Sequence, residues 1–110
     1  MKIIRNNIIP FKGFKAINLF GILFVRGNAE LSNEVINHES IHTAQMKEML
    51  YIPFYIWYGI EHLCKRWNYT AKEAYRAISF EREAYNNQDN LNYLKERKRY
   101  SWFNLLNKEK

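Results

Sequence analysis

The stretch SNEVINHESIHTAQMKEML, residues 32–50, determines how the rest of the chain is interpreted. Ser32 can cap a helix, so we predict one helix that runs to the end of this stretch. His38 and His42 are four residues apart, so their imidazoles lie on one helical face at a spacing that can hold one zinc ion. Glu39 is then placed to accept a proton from water at the metal. The alternative is an ordinary polar helix face.

Two extended segments are expected before this helix. Residues 2–9 are rich in isoleucine, and residues 14–25 form a second apolar segment after a turn signal at 10–13. We predict that they form a β-hairpin or a short meander, with Gly21 as a candidate bulge.

Further helices are expected after residue 50. Pro53 suits the first turn of a second helix that ends near residue 67, and a capping box at Thr70 and Glu73 opens a third that reaches about residue 87. Asp89 can cap a fourth helix that extends to residue 99, and residues 101–107 can add a turn or two. The predicted fold class is therefore α+β, dominated by helices: an N-terminal hairpin or meander, the H-E-x-x-H helix and two to three further helices.

The 110 residues are expected to form one domain, because the chain is too short for two hydrophobic cores. We divide this single zincin-like domain, 1–110, into strands at 1–30, a helical core with the zinc site at 31–99 and a basic C-terminal tail at 100–110. A hydrophobic fraction of 47% and an aromatic fraction of 16% indicate a folded protein.

Charge and cysteine content limit the classes of protein to which this chain can belong. The net charge is +6, but no nucleic-acid motif accompanies it, so we expect solvated basic surfaces and no specific nucleic-acid partner. Cys64 is the only cysteine, which excludes an intrachain disulfide and a cysteine zinc cluster. A single cysteine fits a reducing compartment, so we expect a cytoplasmic protein.

Residues 49–60 form an apolar stretch that is too short to span a bilayer as a helix. A buried core helix is one interpretation of this stretch. Trp57 and the tyrosines at 51, 55 and 58 also suit the zone between lipid and water. Peripheral association with a membrane surface therefore stays open.

A catalytic zinc site needs a third protein ligand in addition to two histidines. The candidates are His62, Cys64, Glu48, Glu61, Glu73, Glu81 and Glu83. An apolar stripe around Glu81 is formed by Ala74, Ala77, Ile78, Ala84 and Tyr85. A carboxylate in such a stripe is costly unless a zinc ion or a buried basic side chain meets it. Glu83 shares a polar face and is expected in solvent, and Glu48 is turned away from the histidines.

The combination of H-E-x-x-H with Glu-x-x-Ala on a later helix resembles the gluzincin metallopeptidases. It is similar to a membrane-protease branch whose ligand motif reads Glu-x-x-Ala-Asp, with FEREAY at 80–85 here and Tyr85 in place of the aspartate. Gln45 matches the H-E-x-x-H-x-x-Q string of some small zincin-like domains. The run NHESIHTAQM at 37–46 also resembles a group of short bacterial proteins. The likeness covers mainly 32–50 and 70–87.

This resemblance implies one Zn2+ ion per chain on His38, His42 and Glu81, with Glu39 as the general base. The expected function is that of a zinc-dependent peptidase, a hydrolase acting on an extended peptide or protein segment that pairs with the edge of strand 14–25. Candidates for oxyanion or outer-shell contacts are Tyr75, Arg76, Tyr85 and Gln45. The alternative is a non-catalytic zinc-bearing module for interaction or for a membrane surface, and the sequence leaves the oligomeric state open.

Overall fold

A computed structural model describes residues 2–8 and 15–106. Within them, three strands come first: β1 at Lys2–Asn6, β2 at Ala16–Leu19 and β3 at Ile22–Arg26. The helices that follow are α1 at Asn33–Glu48, α2 at Ile52–Lys65, α3 at Ala71–Ala77, α4 at Ser79–Asn87, α5 at Tyr93–Glu96 and a 3-10 helix at Ser101–Leu105. The predicted α+β class with dominant helices is confirmed.

The three strands form one sheet in the order β1-β3-β2. β2 and β3 make an antiparallel hairpin around Phe20 and Gly21, whose φ angles of 53° and 87° are both positive, as a tight two-residue turn requires. A side chain at Gly21 would approach Thr43 of α1 within 3.3 Å. The segment 14–25 therefore contains two strands, and Gly21 lies in their turn and not in a bulge. β1 pairs in parallel with β3, and the turn signal at 10–13 lies outside the described residues.

α1 begins at the predicted cap, because the Ser32 hydroxyl accepts a hydrogen bond from the amide three residues on, at 3.1 Å. It ends at Glu48, after which Leu50 and Tyr51 adopt positive φ angles of 58° and 66° that turn the chain. Pro53 then occupies the first turn of α2, as predicted. No helix in the described ranges is long and apolar enough to cross a membrane.

The helix predicted at 70–87 is two helices in the structure. The capping box opens α3, but Ile78 has an extended backbone (φ −59°, ψ 135°) that separates α3 from α4. The Glu61 carboxylate of α2 caps α4, since it accepts hydrogen bonds from the Ser79 amide at 2.6 Å and from the Ser79 hydroxyl at 2.7 Å. The break places Glu81 in the first turn of α4.

The C-terminal part of the described chain packs into the core. The helix predicted at 89–99 is reduced to α5, which is four residues long. Trp102 of the 3-10 helix is 2% exposed and packs with Met46, Phe54, Ile78 and Phe80. Part of the tail expected at 100–110 is therefore folded: Trp102 lies in the core and Leu106 packs against it, whereas Tyr100 and Phe103 are exposed. Residues 107–110 lie outside the described part.

Candidate metal centre

Three buried side chains from two packed helices meet at one point. His38 and His42 lie one turn apart on α1, and Glu81 reaches them from α4. The His42 Nε2 atom is 3.1 Å from His38 Nε2 and 3.1 Å from Glu81 Oε1, and the His38 Nε2 atom is 3.2 Å from Glu81 Oε1. The three residues are 4–7% exposed. They form a group that could hold a metal ion.

The separations of the donor atoms suit a tetrahedral ion. Zinc binds histidine nitrogen and carboxylate oxygen at about 2.0–2.2 Å, so two ligands of one tetrahedral ion lie about 3.3–3.5 Å apart. The observed triangle is nearly equilateral and only slightly smaller, with sides of 3.1–3.2 Å. Two histidines and one carboxylate are also a donor set of catalytic zinc sites, in which the fourth position takes water or substrate.

Gln45 fixes the tautomer of His42. Its amide nitrogen donates to the Phe80 carbonyl and to Glu83 Oε1, both at 3.0 Å, and neither acceptor can donate in return. The Gln45 Oε1 atom must therefore be the one that faces His42 Nδ1, at 2.8 Å. Because an amide oxygen only accepts, His42 Nδ1 carries the hydrogen and a neutral His42 presents the lone pair of Nε2 to the centre.

Gln88 orients His38 in the same way. The Gln88 Oε1 atom is 2.8 Å from His38 Nδ1. Asn37 of α1 holds this end of α4 in place, because its side-chain amide donates to the carbonyls of Asn87 at 3.2 Å, Gln88 at 2.9 Å and Asn90 at 3.0 Å. Both histidines thus direct Nε2 to the centre while Nδ1 is engaged by an acceptor, as is usual for histidines that bind metals.

Glu81 faces the histidines with one oxygen while Tyr58 of α2 binds the other. The Tyr58 hydroxyl donates to Glu81 Oε2 at 2.7 Å. Burial by itself raises the pKa of Glu81, but attraction to His42 and hydrogen bonds from the histidines and Tyr58 outweigh burial, and this pKa falls well below its ordinary value. Burial lowers the pKa of His42, yet the charge and hydrogen bond of Glu81, the charge of Glu39 and the hydrogen bond to Gln45 together outweigh burial and raise this pKa to about 9.

With both histidines neutral, His38 Nε2, His42 Nε2 and Glu81 Oε1 are all hydrogen-bond acceptors. Three acceptor atoms therefore converge unless one histidine is protonated. Among the described residues no arginine or lysine forms an ion pair with Glu81, so a buried basic side chain is not what compensates this carboxylate. A cation at the centre relieves the repulsion, either as a proton on His42 or as a metal ion.

Of the other residues predicted as oxyanion or outer-shell contacts, Tyr85 packs against His38, and Tyr75 and Arg76 contact Tyr85. The Tyr85 ring packs edge-on against His38 with ring centroids 4.5 Å apart, and its hydroxyl oxygen is 3.3 Å from that of Tyr75. Burial, and then the charge of Glu81, raise the pKa of Tyr75 well above its ordinary value. The Arg76 guanidinium lies over the Tyr85 ring, 3.7 Å from its centroid, and so acts on Tyr85. Tyr85 thus makes a ring contact to His38.

Glu39 lies beside the donor atoms and is half-buried. Its main-chain carbonyl accepts a hydrogen bond from the Asn18 side chain of β2 at 2.9 Å. The charge of its carboxylate contributes to the raised pKa values of His42 and Tyr75, so this carboxylate is near both side chains. In the described part of the chain it forms no hydrogen bond or ion pair.

The prediction that Glu83 faces solvent is wrong. Glu83 is 1% exposed and accepts hydrogen bonds from Gln45, from Arg97 and from the Tyr93 hydroxyl at 2.7 Å. Arg97 also donates to both oxygens of Glu48, at 2.8 and 2.9 Å, so Glu48 is engaged away from the histidines. The prediction for Glu83 fails because the segment after α4 folds back over α4 and covers a helix face that would otherwise be exposed to solvent.

The other candidates for a third ligand lie elsewhere. Glu61 caps α4, Glu73 belongs to the capping box of α3, His62 is half-buried on α2 and Cys64 is exposed. The sequence reasoning missed Tyr58 and Gln88. Gln88 follows Glu81 by seven residues, which is two helical turns, so this spacing could have indicated it. Tyr58 lies on another helix, and no spacing along the chain points to it.

No protein-family model matches this chain, and neither a curated protein nor a solved structure matches it. The function that we propose therefore depends on the geometry of the candidate metal centre.

Proposed function

We propose that this chain is a zinc-dependent metallopeptidase in which His38, His42 and Glu81 hold one zinc ion and Glu39 is the general base. The observation that carries the proposal is the convergence of three donor atoms 3.1–3.2 Å apart, with a glutamine oxygen on the far side of each histidine. Two histidines and a carboxylate match the chemistry of zinc, and the glutamines hold the imidazoles ready for it.

Glu39 is the residue that we assign as general base, because its charge acts on His42 and Tyr75. When bound, zinc supplies Lewis-acid chemistry, since it makes water acidic near neutral pH and polarises a carbonyl group. Glu39 takes a proton from the attacking water as the water oxygen bonds to the peptide carbonyl carbon. It then gives this proton to the leaving nitrogen as the C–N bond breaks, so that a carboxyl group and an amine result.

Tyr75 is the donor that we assign to the developing oxyanion. Burial, the charge of Glu81, the hydrogen bond to Tyr85 and the charge of Glu39 all raise the pKa of Tyr75, so its hydroxyl stays protonated. Tyr85, which packs against His38, holds the Tyr75 hydroxyl at 3.3 Å. A neutral hydroxyl held in this way can donate to an oxyanion in the transition state.

An extended peptide is the substrate class that we assign. β2 lies at an edge of the sheet, and Asn18 in this strand contacts the main chain of Glu39. A peptide that adds to this edge through main-chain hydrogen bonds would pass beside the base. A domain of 110 residues has little material for subsites, so we expect unfolded segments and not folded proteins to be cleaved.

One observation favours a second function. The three donor residues are only 4–7% exposed, and a structural metal needs no path for a substrate. The second candidate is a non-catalytic metal-bearing module that acts in interactions or at a membrane surface.

Metal analysis with matched variants tests the site. Purified protein should contain one zinc ion per chain, and His42→Ala should contain none. His62→Ala, which removes the half-buried histidine of α2, is the control and should keep the metal. Equal metal content in wild-type protein and His42→Ala would refute the site.

A second pair of variants tests catalysis. Glu39→Gln should keep the zinc and the fold while it loses chelator-sensitive cleavage of casein, and Glu34→Gln, at the exposed start of the same helix, should keep the activity. Full zinc occupancy without cleavage of casein or of a peptide library would favour the non-catalytic module.

A further inference from the structure

The outer side of α2 is apolar, which is the reverse of what a surface helix normally presents. Its stripe consists of Ile52, Ile56, Ile60 and Leu63, spaced three or four residues apart and 56–72% exposed; we call it the outer α2 face. Trp67 follows the helix and is 91% exposed. A contiguous exposed apolar surface of this kind marks a site of interaction.

The inner side of α2 is committed to contacts within the protein. Phe54 lies in the core, Tyr58 donates to Glu81, and Glu61 caps α4. These contacts fix the rotation of the helix about its axis. The outer α2 face therefore cannot turn inward without breaking the support of the metal centre.

Exposed charges around the outer α2 face are mainly positive. Lys47 precedes α2, and Arg66 and Lys72 follow it; all three are exposed. Between residues 47 and 73, Glu61 is buried and hydrogen-bonded to Ser79, Glu48 is paired with Arg97, and Glu73 is the one exposed carboxylate. Three exposed cations against one exposed carboxylate give the surroundings of the apolar stripe a net positive charge, which complements an anionic surface.

The size and the aromatic residues of α2 suit the interface of a bilayer. Its 14 residues extend about 21 Å, which is shorter than the hydrocarbon core of about 30 Å, so the helix can lie along a membrane but not across it. Trp57 and Trp67 are of the residue type that favours the zone of the lipid headgroups. A cavity of about 760 Å³ lined by Ile56, Trp57 and Ile60 adjoins the stripe and offers apolar walls to acyl chains.

We propose that the outer α2 face docks this protein onto a bilayer surface that contains anionic lipids. The apolar stripe enters the boundary between headgroups and acyl chains, while Lys47, Arg66 and Lys72 contact the headgroups. A second copy of the chain fits this surface less well. A two-fold contact between outer α2 faces would bring the net positive charges of two copies together.

Docking would bring the metal centre close to the lipid surface. Tyr58 reaches Glu81 from the inner side of the same helix, and a helix with its side chains is about 10–12 Å across. For the proposed peptidase, this position selects extended segments that emerge at a membrane surface. That consequence rests on the proposed function, whereas docking itself uses no metal ligand.

Sedimentation of the full chain with vesicles tests the proposal. Protein treated with a chelator should sediment with vesicles of phosphatidylcholine and phosphatidylserine at low salt, and much less at high salt or with phosphatidylcholine alone. Ile56→Asn/Ile60→Asn should lower the partition coefficient about tenfold or more, because two apolar side chains no longer enter the lipid. Arg66→Gln should lower it about fivefold. Leu91→Asn is the control: Leu91 is as exposed as Ile60, at 56% against 57%, but follows α4, and it should bind like wild-type protein.

Tryptophan emission gives a readout that needs no apolar variant. Vesicles should shift the emission of wild-type protein to shorter wavelength, and Trp67→Phe should lose the larger part of this shift, because Trp67 is 91% exposed whereas Trp57 is 37% exposed and Trp102 is buried. Absence of wild-type sedimentation with either vesicle at low salt overturns the proposal. Equal binding of wild-type protein and Ile56→Asn/Ile60→Asn to the vesicles also overturns it. A wild-type dimer in light scattering that this double variant dissociates, without vesicle binding, would assign the surface to a second copy and also overturn it.

Discussion

Replacement of Arg97 by methionine is expected to destabilise the fold strongly, because it leaves two buried carboxylates without a counter-charge. The Arg97 side chain is 6% exposed and donates to both oxygens of Glu48 and to both oxygens of Glu83, whose side chains are 8% and 1% exposed. Methionine retains the apolar stem of the side chain up to about the position of Nε. The substitution therefore removes mainly the positive charge and the hydrogen-bond donors of the Arg97 guanidinium.

The magnitude follows from the burial of this cluster. Removing one partner of a buried ion pair costs about 3–5 kcal/mol, which is a large part of the roughly 5–15 kcal/mol that stabilises a domain. At about 4–8 °C per kcal/mol for a small domain, the melting temperature should fall by more than about 10 °C. Arg97→Met/Glu83→Gln/Glu48→Gln should recover much of the loss, because it removes the unpaired charges as well.

Urea unfolding followed by far-UV circular dichroism measures these differences. Arg99→Met, at an exposed position two residues away, is the control and should change the free energy of unfolding by less than about 0.5 kcal/mol. The reasoning is refuted if Arg97→Met unfolds within about 1 kcal/mol of wild-type protein with an unchanged m-value, since a buried pair broken on one side cannot be that inexpensive.

Other predictions concern the metal centre. Gln45→Leu should lower zinc affinity about 10–100-fold in a competition titration, because His42 Nδ1 loses its acceptor; an unchanged affinity would show that Gln45 does not orient the ligand. Zinc at a hundred times its dissociation constant should stabilise wild-type protein by about 2.7 kcal/mol in thermal unfolding and His42→Ala not at all. Tyr75→Phe should lower kcat by about 10²–10³-fold at full zinc occupancy, and loss of zinc instead would assign Tyr75 a structural part. Casein should be cleaved much faster than a folded protein, and chelator-sensitive digestion of folded substrates at equal rates would show a larger cleft than we infer.

The part of the fold that sequence predicts best is α1. The Ser32 cap, the histidine spacing and the position of Pro53 are all local signals, and each has its expected structural role. Glu81 was also placed by a local signal, since its neighbours three and four residues away form an apolar stripe; in the structure Ala77, Ile78 and Ala84 are buried and Tyr85 is half-buried. These signals depend on contacts within one helix and its ends.

The features that sequence did not predict depend on contacts between distant segments. The break at Ile78 is stabilised by Glu61, a cap supplied by another helix, and no residue within the helix indicates it. Glu83 is buried because Arg97, fourteen residues further on, returns to it. The turn at Phe20 and Gly21 lacks the Asn-Gly or Asp-Gly signature of tight hairpins. The sequence therefore predicts one extended segment where the structure has two strands.

Two sets of hydrogen bonds join α2 to the first turn of α4: Tyr58 donates to the Glu81 side chain, and Glu61 accepts from Ser79. Phe54 of α2 also packs on Phe80 of α4, with ring centroids 4.5 Å apart. A displacement of α2 is therefore expected to change the position of Glu81 relative to the two histidines. Thermodynamic linkage then works in both directions: a ligand that binds α2 in one position alters the affinity of the centre for its ion, and the ion alters the affinity of α2 for that ligand by the same factor. Tyr58→Phe, which removes the direct hydrogen bond to Glu81, should weaken this coupling.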